Sequence, residues 1–196
     1  MKLPDTAHTD RPWRIHALTP DFDLYDVWAL PTPGGPDDFP QLVDFFAEGD
    51  TASNPSWLAR ALFTIRWKLG EVLGWDDPEK GVGASLPTLR DRLPADLRGA
   101  PPGPKFDTLP FSPVYLTADE WAAEMGNRTV HGVLHLSWVE DGAGGYRGQM
   151  AVLVKPNGVL GRAYMAAIAP FRHLIVYPPM MRGMAREWRA RTGQAG

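Results

Sequence analysis

Three side chains that can exchange protons, Glu124, His131 and His135, are predicted to share one face of a β-sheet. Histidine titrates near neutral pH and a neighbouring carboxylate raises its basicity, so the group could act as an acid–base pair. In the alternative interpretation the same face, with Glu120 and Thr129, is a solvated outer surface that carries weak cross-strand charge pairs. The second interpretation is favoured, because the opposite face carries the large apolar residues that a core requires.

The spacing of His131 and His135 argues against a shared metal ion. Along a strand the two residues lie about 13 Å apart, whereas zinc–nitrogen bonds are only about 2.0–2.1 Å long. The chain has no cysteine and no His-Glu-x-x-His motif. The glycine-rich stretch 141–145 joins two strands and precedes no helix, so it is not a phosphate-binding loop. We therefore expect neither a metal nor a cofactor.

A period-two alternation of apolar and polar residues predicts the strands that position these side chains. The strands are expected at 21–30, 114–117, 119–125, 128–140 and 146–155, and the proline-rich run 31–36 is expected to end the first. One parity of the later strands forms an apolar face that must meet the core. Its residues are Trp121, Met125, Leu134, Leu136, Trp138, Met150 and Val152.

Helical periodicity predicts helices at 38–48 and 54–74 and a C-terminal helical region from Leu160 to Arg191. Pro170 should kink that last region, and Pro178 with Pro179 should break it again. Eight prolines between residues 75 and 113 predict a long loop with one short helical turn, either a lid or a surface insertion. Residues 1–20 are interpreted as a polar leader, and residues 21–191 as a single domain.

Composition excludes several classes of protein. The chain of 196 residues is 44% hydrophobic and has a formal net charge of −3, so nucleic acid is not an expected partner. No apolar run approaches the roughly 18 residues of a membrane span. The N-terminal residues lack an apolar secretory region, which suggests a cytoplasmic protein. Eight tryptophans suit a broad apolar pocket as well as a core.

The order of elements resembles the helix-grip fold of the START-like (SRPBCC) superfamily, an α+β fold in which a curved antiparallel sheet wraps a long C-terminal helix. Four short motifs further resemble a bacterial domain-of-unknown-function family of that superfamily (DUF2867-like). They are Asn-Arg-Thr-Val-His at 127–131, Pro-Asn-Gly at 156–158, Gly-Arg-Ala-Tyr at 161–164 and Pro-Phe-Arg-His at 170–173. The resemblance covers residues 22–188, and it implies an apolar cavity between the sheet and the terminal helix.

Three hypotheses about function follow. In the first, the cavity binds a hydrophobic small molecule such as a lipid or a polyketide. In the second, the protein is a metal-free cyclase, dehydratase or isomerase that uses His131 or His135 as a base oriented by Glu124. In the third, exposed Trp and Met residues form a homodimer face. The residues expected to line the cavity are Trp121, Met125, Leu134, Trp138, Met150, Tyr164, Phe171 and Arg172.

Overall fold

The computed structural model describes residues 1–48, 87–107, 109–126, 130–158, 162, 165 and 177–193. Its strands are β1 (Asp23–Gly34), β2 (Ser112–Leu116), β3 (Glu120–Gly126), β4 (Val130–Glu140) and β5 (Tyr146–Pro156). They form one open antiparallel sheet in the order β1–β5–β4–β3–β2. The helices are α1 (Thr6–Thr9), α2 (Ile15–Leu18), α3 (Phe39–Glu48), a 3-10 helix (Leu89–Arg92) and α4 (Tyr177–Thr192). The predicted α+β class with a C-terminal helix is confirmed.

The apolar face of the sheet packs against α3 and α4. Trp188 of α4 is fully buried; its ring centroid lies 5.7 Å from that of Phe45 on α3 and 6.5 Å from that of Trp138 on β4. Its indole nitrogen donates a 2.9 Å hydrogen bond to the carbonyl of Pro33. The predicted apolar stripes explain this arrangement. Leu42, Phe45, Phe46, Met184 and Trp188 are buried, whereas Arg182, Arg186, Arg189 and Arg191 are exposed.

The opposite face, which we call the polar face, is also buried, and the prediction that it is solvated is wrong. It carries Glu120, Glu124, His131 and His135, whose exposed fractions are between 0 and 4%. Two parts of the chain cover it: the N-terminal segment (residues 1–22) and the segment 87–100. Ile15, Leu18, Leu89, Leu93 and Leu97 from these segments interleave with apolar residues of the face itself. Residues 1–20 are therefore packed on the sheet and do not form a frayed leader.

Strand β1 continues through the proline-rich run that was expected to end it. The strand reaches Gly34, with an irregularity in its pairing with β5 between Ala29 and Pro33. A proline cannot donate to a strand partner, but an edge strand tolerates it. Because β1 lies at the edge of the described sheet, Pro31 and Pro33 do not interrupt it.

Of the residues that the structure describes, α4 comprises Tyr177–Thr192, and Pro178 and Pro179 lie in the first turn of this helix. The first backbone N–H groups of a helix have no partner inside the helix, and a proline there loses no hydrogen bond. The predicted single turn in the proline-rich loop is confirmed as the 3-10 helix Leu89–Arg92. Several predicted features lie outside the described residues. They are the helix 54–74, most of the first part of the C-terminal helical region (160–175, of which only 162 and 165 are described), and the site residues Tyr164, Phe171 and Arg172.

Candidate functional site

Two glutamate–histidine pairs lie side by side on the polar face. Glu124 on β3 and His131 on β4 are bonded through Oε2 and Nε2, 2.7 Å apart. Glu120 on β3 and His135 on β4 are bonded in the same way at 2.9 Å. The sequence therefore predicted correctly that Glu124 meets a histidine, but His135 takes Glu120 as its partner. Residues of the same parity on paired strands share a face, which is why both pairs form here.

Glu124 and His131 hold the segment that contains the 3-10 helix. The backbone N–H of Leu89 donates to both carboxylate oxygens of Glu124, at 3.1 Å each. The Thr88 hydroxyl, which also caps the 3-10 helix, donates to Oε1. The ring of Phe22 lies edge-on to His131, with centroids 5.1 Å apart. Besides His131 on the adjacent strand, this carboxylate is bonded to Thr88 and Leu89 of the segment that covers it.

Glu120 binds the backbone of Arg14, the residue just before α2. The Arg14 backbone N–H donates to its two oxygens at 2.9 and 3.1 Å, and the Tyr115 hydroxyl donates to Oε2 at 2.8 Å. Burial alone would raise the pKa of Glu120, but the hydrogen bond from His135 and its charge, with those from Arg14 and Tyr115, hold the pKa below its usual range. Burial and the Glu120 charge raise the pKa of Tyr115, so the phenol stays protonated. Glu120 is therefore a buried carboxylate surrounded by donors.

A chain of histidines connects Glu120 to the surface. His135 Nδ1 lies 3.2 Å from Nε2 of His8 on α1, and His8 Nδ1 lies 3.2 Å from Nε2 of His16 on α2. His8 is 1% exposed, whereas His16 is partly exposed. The hydrogen-bond network determines which nitrogen carries each proton. His135 donates through Nε2 to ionised Glu120, and each of the two histidine–histidine contacts joins one ring nitrogen that donates to one that accepts.

His8, His16 and Glu120 were not among the predicted site residues. His8 and His135 are 127 positions apart in sequence, and no local pattern reports such a contact. One signal of the burial was present. Val133 and Val139 share the parity of His131 and His135, and Ala151 and Leu153 share the corresponding parity of β5. Strands that are apolar on both parities are typical of a sheet that is covered on both faces.

The predicted ligand-binding residues that the structure describes lie together on the apolar face. Trp121, Leu134, Trp138 and Met150 belong to one buried cluster, and Met125 is partly exposed at the end of β3. Phe106 stacks on Trp121, with centroids 4.8 Å apart and planes inclined by 7°. The Trp121 indole N–H donates to the carbonyl of Pro102 at 3.1 Å. This part of the proline-rich loop therefore covers the β2–β3 end of the face.

The two ends of the apolar face differ in how they are covered. At one end of β4, Trp138 lies under α3 and α4 and is 5% exposed. Six residues away, or about 20 Å along the strand, Gly132 pairs with Met125 and Val154 and is partly exposed. Among the described residues, a Cβ added at Gly132 would come within 4 Å of Met125 only. We call this end, with Gly132, Met125, Leu134 and Val152, the Gly132 hollow.

Comparison with known proteins identifies the family. A family model for proteins of unknown function (DUF2867) matches residues 18–179. The chain belongs to this family. Neither the search of curated proteins nor the search of solved structures gave a match.

Two negative results apply to the described residues. None of the described helices is both long enough and apolar enough to cross a bilayer. The described His, Asp and Glu side chains form no group of three or more that could hold a metal ion. The histidine chain fits this result, because each contact in it joins only two ring nitrogens and consecutive contacts use opposite sides of a ring.

Proposed function

We propose that this DUF2867 protein binds an apolar small molecule on the apolar face of the sheet, at the Gly132 hollow, in the manner of a START-like helix-grip protein. The observation that carries the proposal is the contrast between the two ends of that face. Helices α3 and α4 fill the Trp138 end with side chains, whereas Gly132 has no side chain, and among the described residues only Met125 lies within 4 Å of the place its Cβ would take. A partly exposed hollow with apolar walls is the usual form of a small-molecule site.

The chemistry of the hollow selects the ligand class. Its side chains are Met125, Leu134 and Val152, and a methionine adapts its shape to irregular apolar groups. Trp121 on β3, with Phe106 of the proline-rich loop stacked on it, continues the apolar surface beyond Ala123. None of these side chains carries a charge, so burial of apolar area would supply the affinity, about 25 cal/mol per Å². A lipid-like or polyketide-like molecule fits these walls better than a charged metabolite does.

The acid–base alternative receives less support from the same geometry. A catalytic Glu124 with His131 or His135 would need a free oxygen or nitrogen that faces a substrate. Both carboxylate oxygens of Glu124 are instead hydrogen-bonded, to Leu89, Thr88 and His131, and the side chain is 0% exposed. His135 uses both ring nitrogens within the histidine chain. These contacts fix covering segments to the sheet.

The homodimer alternative lacks an apolar surface in the part of the chain that the structure describes. Met1 is the only large hydrophobic residue there that is exposed. Trp121, Trp138 and Met150 are 1 to 5% exposed and lie within the core.

A side chain at position 132 should weaken ligand binding without destabilising the fold. We expect Gly132→Leu to weaken the binding of the fluorescent probe N-phenyl-1-naphthylamine by about tenfold or more, because the new side chain occupies the ligand's space; tenfold corresponds to about 1.4 kcal/mol. A leucine in a strand raises β-propensity over glycine, so thermal stability should not fall. A fluorescence titration and a melting curve measure the two effects.

The matched control is Gly99→Leu, which adds the same side chain at an exposed position with no atom within 4 Å of its Cβ. This variant should bind the probe as the wild type does. Equal affinity in the wild type and Gly132→Leu, or no binding by the wild type, would overturn the proposal.

A further inference from the structure

One aromatic ring from the proline-rich loop closes the apolar face beside the Gly132 hollow. Phe106 stacks on Trp121, with ring centroids 4.8 Å apart and planes inclined by 7°. Offset stacking at about this separation is a favoured arrangement of two aromatic rings. Phe106 is partly exposed, whereas Trp121 beneath it is 1% exposed. Trp121 therefore presents a flat face that is covered by a single planar group.

The face of Trp121 adjoins the Gly132 hollow. Trp121 and Ala123 lie on β3 opposite Leu136 and Leu134 of β4. Leu134, a residue of the hollow, is therefore a diagonal neighbour of Trp121, at about 7–8 Å, which is within reach of an aromatic side chain. Ala123, which lies between the two, carries only a methyl group. A ligand that rests on Leu134 can extend across Ala123 to the indole ring.

The segment 103–106, which supplies the stacked ring, is held at its ends and not along its length. At one end the Trp121 indole N–H donates to the Pro102 carbonyl, and at the other the Asp107 N–H donates to the Ala47 carbonyl of α3, each at 3.1 Å. Within the described part of the chain, no backbone N–H of 103–106 donates a hydrogen bond to another group. Segments with few backbone hydrogen bonds open at a low cost in free energy.

Gly103 separates the anchoring of the indole from the cover on its face. Its φ is +88°, and a Cβ there would lie 2.5 Å from Trp121 Nε1. Glycine adopts this backbone conformation and permits this close approach without a steric penalty. The loop backbone therefore meets the edge of the indole, where Pro102 accepts its N–H, whereas Phe106 lies on its face. Phe106 can leave the face while the hydrogen bond keeps Trp121 in place.

We propose that Phe106 is an exchangeable cover on Trp121, and that a planar aromatic group of the bound molecule takes its place when the Gly132 hollow is occupied. This inference rests on the proposed binding of an apolar small molecule and narrows the ligand class to elongated apolar molecules that carry an aromatic ring. The bound ring restores the stacked contact that Phe106 gives up. The exchange then costs mainly the further exposure of a side chain that is already partly exposed.

Two fluorescent probes that differ in aromaticity test the exchange in the intact chain. N-phenyl-1-naphthylamine carries a fused planar ring, whereas cis-parinaric acid is a polyene chain without a ring. We expect Phe106→Ala to bind N-phenyl-1-naphthylamine about fivefold more tightly than the wild type, because no internal ring then competes for Trp121. Its affinity for cis-parinaric acid should stay within about twofold of the wild-type value.

The matched control is Phe111→Ala. It removes a ring of the same size, which lies 5.5 Å from Phe106, and leaves the stack on Trp121 in place. This variant should bind both probes within about twofold of the wild type.

A second measurement uses the wild type alone and so does not depend on how the variants fold. In ¹H–¹⁵N NMR spectra, the Trp121 indole signal should shift saturably with N-phenyl-1-naphthylamine, at the same Kd as in the fluorescence titration, because a new ring then lies over the indole. The indole signal of Trp188, which is bonded to the Pro33 carbonyl, should not move.

Failure of the exchange is distinguishable from failure of the ligand site. Binding of N-phenyl-1-naphthylamine that Gly132→Leu weakens and Phe106→Ala leaves unchanged would overturn the exchange and retain the site. An equal gain for both probes in Phe106→Ala, or a Trp121 signal that stays fixed while the Met125 methyl signal shifts, would also overturn the exchange. If neither probe binds to the wild type or to Phe106→Ala, the proposed function fails and the exchange fails with it.

Discussion

Replacing Glu120 with glutamine is expected to lower the free energy of unfolding by about 3 kcal/mol or more, which is the usual range for removing one member of a buried charge pair. Glu120 accepts from three donors: His135, Tyr115 and the Arg14 N–H, which contacts both oxygens. The amide of glutamine offers one oxygen and an NH₂ group that faces other donors. The substitution should therefore weaken the contacts of the N-terminal segment with the sheet as well as those between strands.

Urea denaturation at pH 7.5 measures this effect, and the melting temperature should fall by about 2–4 °C for each kcal/mol. Glu140→Gln is the matched control, because Glu140 is exposed at the end of the adjacent strand, and its side chain makes a single hydrogen bond within the described residues, at 3.4 Å to the Tyr146 hydroxyl. Its effect should stay within about 0.5 kcal/mol. A loss of less than about 1 kcal/mol in Glu120→Gln would show that the buried network does not hold the polar face closed.

Truncating Trp188 is expected to have the other large effect, a loss of about 3–5 kcal/mol in Trp188→Ala. This side chain is 0% exposed and joins α4 to α3 and to β4 through Phe45 and Trp138. Its indole N–H also bonds the carbonyl of Pro33, which no apolar replacement can do. Without it, the helix loses its main anchor on the apolar face.

Chemical denaturation of Trp188→Ala and Trp188→Phe separates packing from hydrogen bonding. Trp188→Phe keeps most of the ring contacts, so the free energy of unfolding should fall by about half as much as in the alanine variant, or less. Equal stability of Trp188→Ala and the wild type would mean that α4 does not anchor the fold.

The strands were predictable from the sequence because their alternation is local. The predicted 128–140 and 146–155 correspond to β4 (Val130–Glu140) and β5 (Tyr146–Pro156) as far as the structure describes them. Helix α3 was equally predictable from Leu42, Phe45 and Phe46. In each case the residues that decide the element lie within a few positions of one another, so their spacing carries the information.

The burial of the polar face could not be predicted from alternation, because alternation shows that two faces differ and does not show what covers either. Glu120, Glu124, His131 and His135 read as a solvated set, yet each finds a partner in a covering segment or on a neighbouring strand. The contacts of His8 and Arg14 with β3 and β4 join residues more than 100 positions apart. Buried polar groups are tolerated once they are hydrogen-bonded, and only the folded chain shows that they are.

The proline-rich stretches show a second limit of local patterns. A proline pair or run normally ends an element, but Pro31 and Pro33 lie in an edge strand and Pro178 and Pro179 in a first helical turn. Both are positions where the missing N–H is not needed. Whether a strand lies at an edge depends on the whole sheet, which a local pattern does not report.

The most direct test of the apolar site is a methyl NMR titration of the protein labelled at its methionines, with N-phenyl-1-naphthylamine as ligand. Met125 borders the Gly132 hollow and is partly exposed, whereas Met184, a residue of α4, is fully buried in the cluster that packs on the same face of the sheet. We predict that the Met125 methyl signal shifts in a saturable manner with the same Kd as the fluorescence titration, and that the Met184 signal does not move. A saturable shift at Met184 with none at Met125 would contradict a ligand site at the Gly132 hollow.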